Sequence, residues 1–124
     1  MLRKVLYAKI HMATVNAARP DYNGSIMVPS DYLESTGLRV SDAVLVADCN
    51  NAARFETYII RGEPGSRRFE VNGAAARLVV PGDRIILFHY AWMTDEEYRA
   101  HRPRVLVLNE DNSVAESFRY EPGQ

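Results

Sequence analysis

The run Asp21-Tyr22-Asn23-Gly24-Ser25 places a serine hydroxyl directly after a glycine carbonyl that no Cβ shields. If the intervening peptide bond is held strained, the Ser25 oxygen can attack the Gly24 carbonyl, because glycine tolerates the distorted dihedrals that the attack requires. The amide then becomes an ester, and elimination from the ester breaks the chain. The plainer alternative is local: Asn-Gly is a common hairpin turn signal and Gly-Ser is simply flexible. Taken alone, the dipeptide leaves both readings open.

Little else in the chain has the spacing that a reaction needs. There is no Gly-x-Ser-x-Gly elbow, no glycine-rich phosphate cradle and no His-Glu-x-x-His. Cys49 is the only cysteine, which excludes an intrachain disulfide, and it shares no metal-ligand spacing with His11, His89 or His101. No metal is expected. Cys49 reads as a small hydrophobe buried in an apolar strand, and His89 as a packed histidine. The 124 residues carry 15 basic and 16 acidic side chains, a formal charge of -1 that offers no footprint for nucleic acid. The longest stretch without Asp, Glu, Lys or Arg, residues 85–94, is half of the roughly 20 needed to cross a bilayer. The apolar run before Lys9 is too short for a secretory signal, so no membrane partner and a cytoplasmic location are expected.

The elements that position these residues are mostly strands. Period-two alternation puts Val5, Tyr7, Lys9 and His11 on one face of the first segment, with Leu6, Ala8 and Ile10 on the other. Further strands are expected over 43–48, 54–61, 68–71, 84–91, 104–109 and 114–120, separated by turns such as Pro81-Gly82-Asp83 and Asp111-Asn112. A short helix is expected over 31–36, with Ser30 or Asp31 as its cap and Gly37 as its stop. A second begins after Thr94, which forms a capping box with Glu97, and ends before Pro103. With 47% hydrophobic and 25% charged residues, these elements suit one mainly β domain, a barrel or sandwich, over residues 1–124.

The order and spacing of several motifs resemble the bacterial aspartate 1-decarboxylases, which are pyruvoyl-dependent. The matching residues are Lys9-Ile10-His11, Tyr22-Asn23-Gly24-Ser25, Arg54-Phe55-Glu56-Thr57-Tyr58, Gly65-Ser66-Arg67 and Val71-Asn72-Gly73-Ala74-Ala75-Ala76. Pro81-Gly82-Asp83, residues 93–97 and Arg102-Pro103 follow in the same order. The resemblance implies a small double-psi β-barrel with two or three short helices. It also implies self-cleavage into residues 1–24 and 25–124, the larger piece beginning with a pyruvoyl group made from Ser25. That group would serve the conversion of L-aspartate to β-alanine and CO₂ for pantothenate and coenzyme A synthesis. A homotetramer with sites between neighbours is implied as well, with a separate maturation protein where cleavage is not spontaneous.

Roles follow by the same resemblance. Thr57 donates to the oxyanion formed on Gly24 during cleavage, and Tyr22 holds the loop. Arg54 binds the side-chain carboxylate of the substrate, an ion that its planar fork suits. Lys9, one of only two lysines in the chain, adds positive charge together with His11. Tyr58 protonates Cα as general acid. Asn72, Gly73, Ala74 and Ala75 bring polar groups and backbone amides close to the substrate. Consecutive strand residues point to opposite faces, so Thr57 and Tyr58 can reach one site only through a twist or a bulge. Two positions depart from the family pattern: Ala47 replaces a frequent aromatic residue and Ala52 replaces a glycine. Ala47 suggests a wider pocket. The competing reading is a non-enzymatic β-barrel binding module in which Gly24-Ser25 never breaks. A pyridoxal phosphate enzyme using Lys9 is discounted on size.

Overall fold

Ala8 and Ile10 are completely buried while Lys9 and His11 stay partly accessible, so the alternation of the first segment survives folding. A computed structural model describes residues 1–121. Strand β1 (Arg3–Arg19) is far longer than the expected segment, because register shifts between Leu6 and Ala8, and between His11 and Ala13, bend it around the barrel. It is followed by β2 (Ser25–Pro29), helix α1 (Ser30–Thr36), β3 (Ala43–Asp48), β4 (Arg54–Gly62) and β5 (Phe69–Asn72). A 3-10 turn over Gly73–Leu78 leads to β6 (Arg84–Met93), helix α2 (Asp95–Ala100), β7 (Arg104–Leu108) and β8 (Val114–Arg119).

Six strands close a barrel in the order β5-β2-β4-β3-β6-β1, with β1 pairing back onto β5. The architecture is mainly β and agrees with the double-psi barrel that the motifs implied. The β1–β5 and β2–β4 pairs are parallel, and β7 and β8 form a ribbon attached to the middle of β1. Alternate residues fill the interior: Ile10, Val15, Ile26, Val28, Val46, Ile59, Phe69, Val71 and Ile85 are at most 1% exposed. Asn112, at the β7–β8 turn, is also buried; its amide bonds Thr14 N, Thr14 O and Arg67 O, which fixes the ribbon to the barrel.

Three local expectations change. Strand β2 was not foreseen. Helix α1 begins at Ser30 behind Pro29, and neither Ser30 nor Asp31 caps it through a side chain, although Gly37 does end it in the left-handed conformation. Cys49 is exposed in the turn after β3, with its Sγ 3.7 Å from Met12 Sδ, and is therefore not a core residue. By contrast the Thr94 capping box is complete, with Thr94 Oγ1 accepting from Glu97 N and Glu97 Oε1 accepting from Thr94 N. His89 is packed as expected, edge-on to Tyr7 with Nδ1 2.7 Å from Ala43 O.

Candidate active site

The loop of residues 20–24 leaves the end of β1, passes the end of β5 and enters β2, so Gly24-Ser25 lies where three strands converge. Ser25 is opposite Asn72 in the antiparallel β2–β5 pair, and its Oγ accepts a hydrogen bond of 3.1 Å from Asn72 Nδ2. It is 2% exposed and has φ +155°, a backbone setting that residues with a Cβ rarely adopt and that costs about 1–3 kcal/mol. The strain therefore falls on the residue after the glycine. Gly73 (φ +79°) forms the floor beneath the loop: a Cβ there would meet Gly24 Cα at 2.6 Å and Gly24 N at 2.8 Å.

Above Ser25 lies a cleft of about 570 Å³ bordered by Tyr22, Gly24, Ser25, Tyr58, Ile60 and Asn72. Parallel pairing of Ile26 with Ile59 brings Tyr58 alongside Ser25, and alternation adds Ile60, which the sequence reading missed although its spacing from Tyr58 would have found it. Asn72 Oδ1 is buried and lacks a hydrogen-bond partner among the described residues. An acceptor left unpaired costs about 1–3 kcal/mol unless a ligand supplies the donor.

Lys9, His11 and Arg54 gather elsewhere. Register places His11, Ile86, Ala47 and Arg54 in one row across β1, β6, β3 and β4, and Lys9, Phe88, Leu45 and Glu56 in the next. Both rows face outward. Arg54 is exposed and its side chain makes no hydrogen bond or ion pair among the described residues, whereas Lys9 Nζ donates to Tyr120 Oη at 3.1 Å. Burial, and then the charges of Lys9 and Arg84, push the His11 pKa below its ordinary 6.5, which favours the neutral ring. Its Nδ1 is buried without a partner among the described residues.

Arg54 and Tyr58 share the outer face of β4 but stand four residues apart, about 13 Å along the strand. One chain therefore does not bring the Lys9, His11 and Arg54 row to its own Ser25 cleft. Thr57 pairs with buried Val44 on the opposite face from Tyr58, and the register is continuous from Ala43 to Ala47. No bulge turns Thr57 into the cleft of its own chain. Ala74 is exposed and Ala75 packs against the core, both within the 3-10 turn and outside the cleft lining. Among the described residues, no three His, Cys, Asp or Glu side chains group to hold a metal, and no helix is long and apolar enough to cross a membrane.

A family model described as aspartate decarboxylase matches residues 1–115. An aspartate 1-decarboxylase of Bacillus licheniformis is 44% identical over 124 residues, covering all of this chain and 98% of the relative. An aspartate 1-decarboxylase of Staphylococcus aureus is 46% identical over 116 residues, covering 94% of this chain and 91% of the relative. With a match spanning the loop at Gly24-Ser25, the Asn72-Gly73 floor and every strand of the barrel, the chain belongs to the aspartate decarboxylase family.

Proposed function

We propose that the chain is an aspartate 1-decarboxylase that matures by breaking its own Gly24–Ser25 bond. The observation that carries this reading is the buried Ser25 at φ +155°, its Oγ fixed by Asn72 and its glycine neighbour seated on Gly73. Attack by Ser25 Oγ on the Gly24 carbonyl transfers the acyl group from nitrogen to oxygen and relieves the strained peptide. Elimination releases the Gly24 carboxylate; the dehydroalanine left at position 25 takes up water and loses ammonia, which leaves a pyruvoyl terminus. Asn72 fits both states. Its amide nitrogen donates to the oxygen on Ser25, and its unpaired Oδ1 is an acceptor for an amine nitrogen.

The pyruvoyl group supplies an electron sink for the loss of CO₂ from L-aspartate. The chain's own residues then select, orient and protonate. Tyr58, beside Ser25 in the cleft, delivers a proton to the carbon that CO₂ leaves. Arg54, whose guanidinium has no partner among the described residues, binds the side-chain carboxylate bidentately. Lys9 contributes charge and neutral His11 a hydrogen bond. Because the Arg54 row lies about 13 Å from Tyr58 along β4, a second copy supplies Lys9, His11, Arg54 and the Thr57 hydroxyl to each Ser25 cleft, in keeping with the homotetramer that the resemblance implies. The β-alanine formed would serve pantothenate and coenzyme A synthesis in the cytoplasm.

Intact-mass spectrometry after warm incubation tests the reading. Two fragments split after Gly24, the larger lighter by one ammonia than its serine-initiated form and labelled by borohydride with aspartate, are the expected result. A chain that remains whole even with a maturation factor added leaves only a barrel that binds.

A further inference from the structure

Arg19 ends β1, immediately before the loop that leads to Gly24-Ser25, and is paired with Asn72 in the parallel β1–β5 register. Asn72 in turn faces Ser25, so Arg19, Asn72 and Ser25 form one row across three strands. From this row the Arg19 side chain reaches diagonally to Glu70, two residues earlier on the same face of β5, with Nε 2.9 Å from Oε1. Arg68 Nε holds the other oxygen, Oε2, at 3.2 Å. Each oxygen of the carboxylate thereby has a partner, and the side chain is only 13% exposed.

The guanidinium so fixed carries the loop. Its carbon lies 5.1 Å from the centre of the Tyr22 ring, a cation–π contact, while the Arg19 carbonyl accepts from Tyr22 N at 3.2 Å. Tyr22 is 58% exposed and has no other described anchor of its side chain. The scissile bond follows two residues later, pressed on Gly73 from below. Arg19 thus ties the start of the loop to the same short strand, β5, whose Asn72 holds its end.

We propose that Arg19, oriented by Glu70, is a positioning residue for chain cleavage: it holds Tyr22 so that the Gly24 carbonyl is presented to Ser25 Oγ, and it takes no part in later turnover. This inference rests on the cleavage reading above. The Arg19 side chain is 41% exposed and neither partner belongs to the apolar core, so the pair can be altered without disturbing that core.

The test follows the rate at which freshly purified precursor is converted to the two fragments, alongside the melting temperature and the decarboxylation rate per cleaved chain. Arg19→Met and Glu70→Ala are expected to slow conversion on the order of tenfold, since small misplacements of reacting groups have effects of this size. Arg19→Lys, which keeps the charge against Glu70, is expected to recover most of the rate. Melting temperature and turnover per cleaved chain should remain at the level of the unaltered protein. Conversion of Arg19→Met at the unaltered rate overturns the proposal while leaving the cleavage reading intact. A slowing that tracks a lower melting temperature and is not recovered by Arg19→Lys also overturns it. An unaltered chain that never converts, even with a maturation factor added, removes the cleavage reading itself.

Discussion

Replacing Gly73 by alanine separates two effects that glycine serves at once. The added Cβ would lie 2.6 Å from Gly24 Cα and 2.8 Å from Gly24 N. Ordinary carbon contacts begin near ~3.5 Å, so the backbone of Gly24 or Gly73 must move by about 1 Å. The left-handed φ of +79° adds about 1–2 kcal/mol of strain for any residue with a Cβ. Gly65 supplies the control, since its φ is +77° but nothing lies within 4 Å of the position a Cβ would take. Gly65→Ala therefore carries the conformational cost without the clash. Both variants are expected to lose about 1–2 kcal/mol of stability, Gly73→Ala somewhat more. Only Gly73→Ala should slow cleavage, by as much as ~100-fold, because a 1 Å shift of the attacked carbonyl suffices for that. The assay is a time course of precursor conversion by mass, with denaturant melts of each variant. Equal conversion rates for Gly73→Ala and the unaltered chain, with both folded, would refute the claim that Gly73 seats the scissile residue.

Ser25→Ala should give an intact, folded and inactive chain, whereas Tyr58→Phe should still cleave and lose most decarboxylation; full turnover in Tyr58→Phe would contradict the proton-donor role. Ala52 occupies a left-handed φ of +64° in the β3–β4 turn, so Ala52→Gly should relieve about 1–2 kcal/mol of strain, offset by up to ~1 kcal/mol of unfolded-chain entropy. A small rise in melting temperature is expected, and a fall would contradict the strain argument. Asp48 is 2% exposed, with Oδ2 lacking a hydrogen-bond partner among the described residues; burial and then the neighbouring Asp83 carboxyl raise its pKa above the ordinary 3.8. A raised folded-state pKa means stability that is full below the unfolded value and is lost as pH rises through the folded one. Asp48→Asn should therefore stabilise at pH 7 and bring little gain near pH 3, which urea melts at the two values will check. Thr94→Ala removes an N-cap and should cost about 1 kcal/mol by the same measurement.

The parts of the fold that could be read from sequence are those whose signals are local. Gly37 and Thr94 set helix limits by backbone rules that no distant contact overrides, and the interior faces of β3 and of β4 as far as Ile59 follow strict alternation. Strand β2 was missed because Ile26, Met27 and Val28 form an apolar run too short for a period, with the chemically conspicuous Gly24-Ser25 directly before it. Strand β1 was cut short because the register shift between His11 and Ala13, with Met12 at φ +67°, resets its alternation, and such shifts respond to barrel curvature rather than to any residue type. Within the candidate site, the cleft members Tyr22, Gly24, Ser25, Tyr58 and Asn72 come together in one chain, while Lys9, His11, Arg54 and Thr57 lie apart from them. The surroundings of His11 were legible only in part: Lys9 precedes it by two residues on the same strand, whereas Arg84 approaches through the β1–β6 pairing and is invisible in a linear reading.

Strand β1 is hydrogen-bonded to β5, β6 and β7, so the first 24 residues are woven through the barrel rather than laid against it. Once the Gly24–Ser25 bond is broken, the two pieces would form a heterodimer whose dissociation is the same event as unfolding. Folding before the break is a unimolecular search by one continuous chain; afterwards it is an encounter between a 17-residue strand, carried on a short peptide, and a barrel with an open seam. On the proposed cleavage, kinetics would fix the order of events: the chain would assemble first and be cut second. Heat or denaturant would then act as a one-way valve, because dilution lowers the rate of reassembly but not that of loss. The mature protein would depend on the slowness of its unfolding, where the precursor can rely on equilibrium.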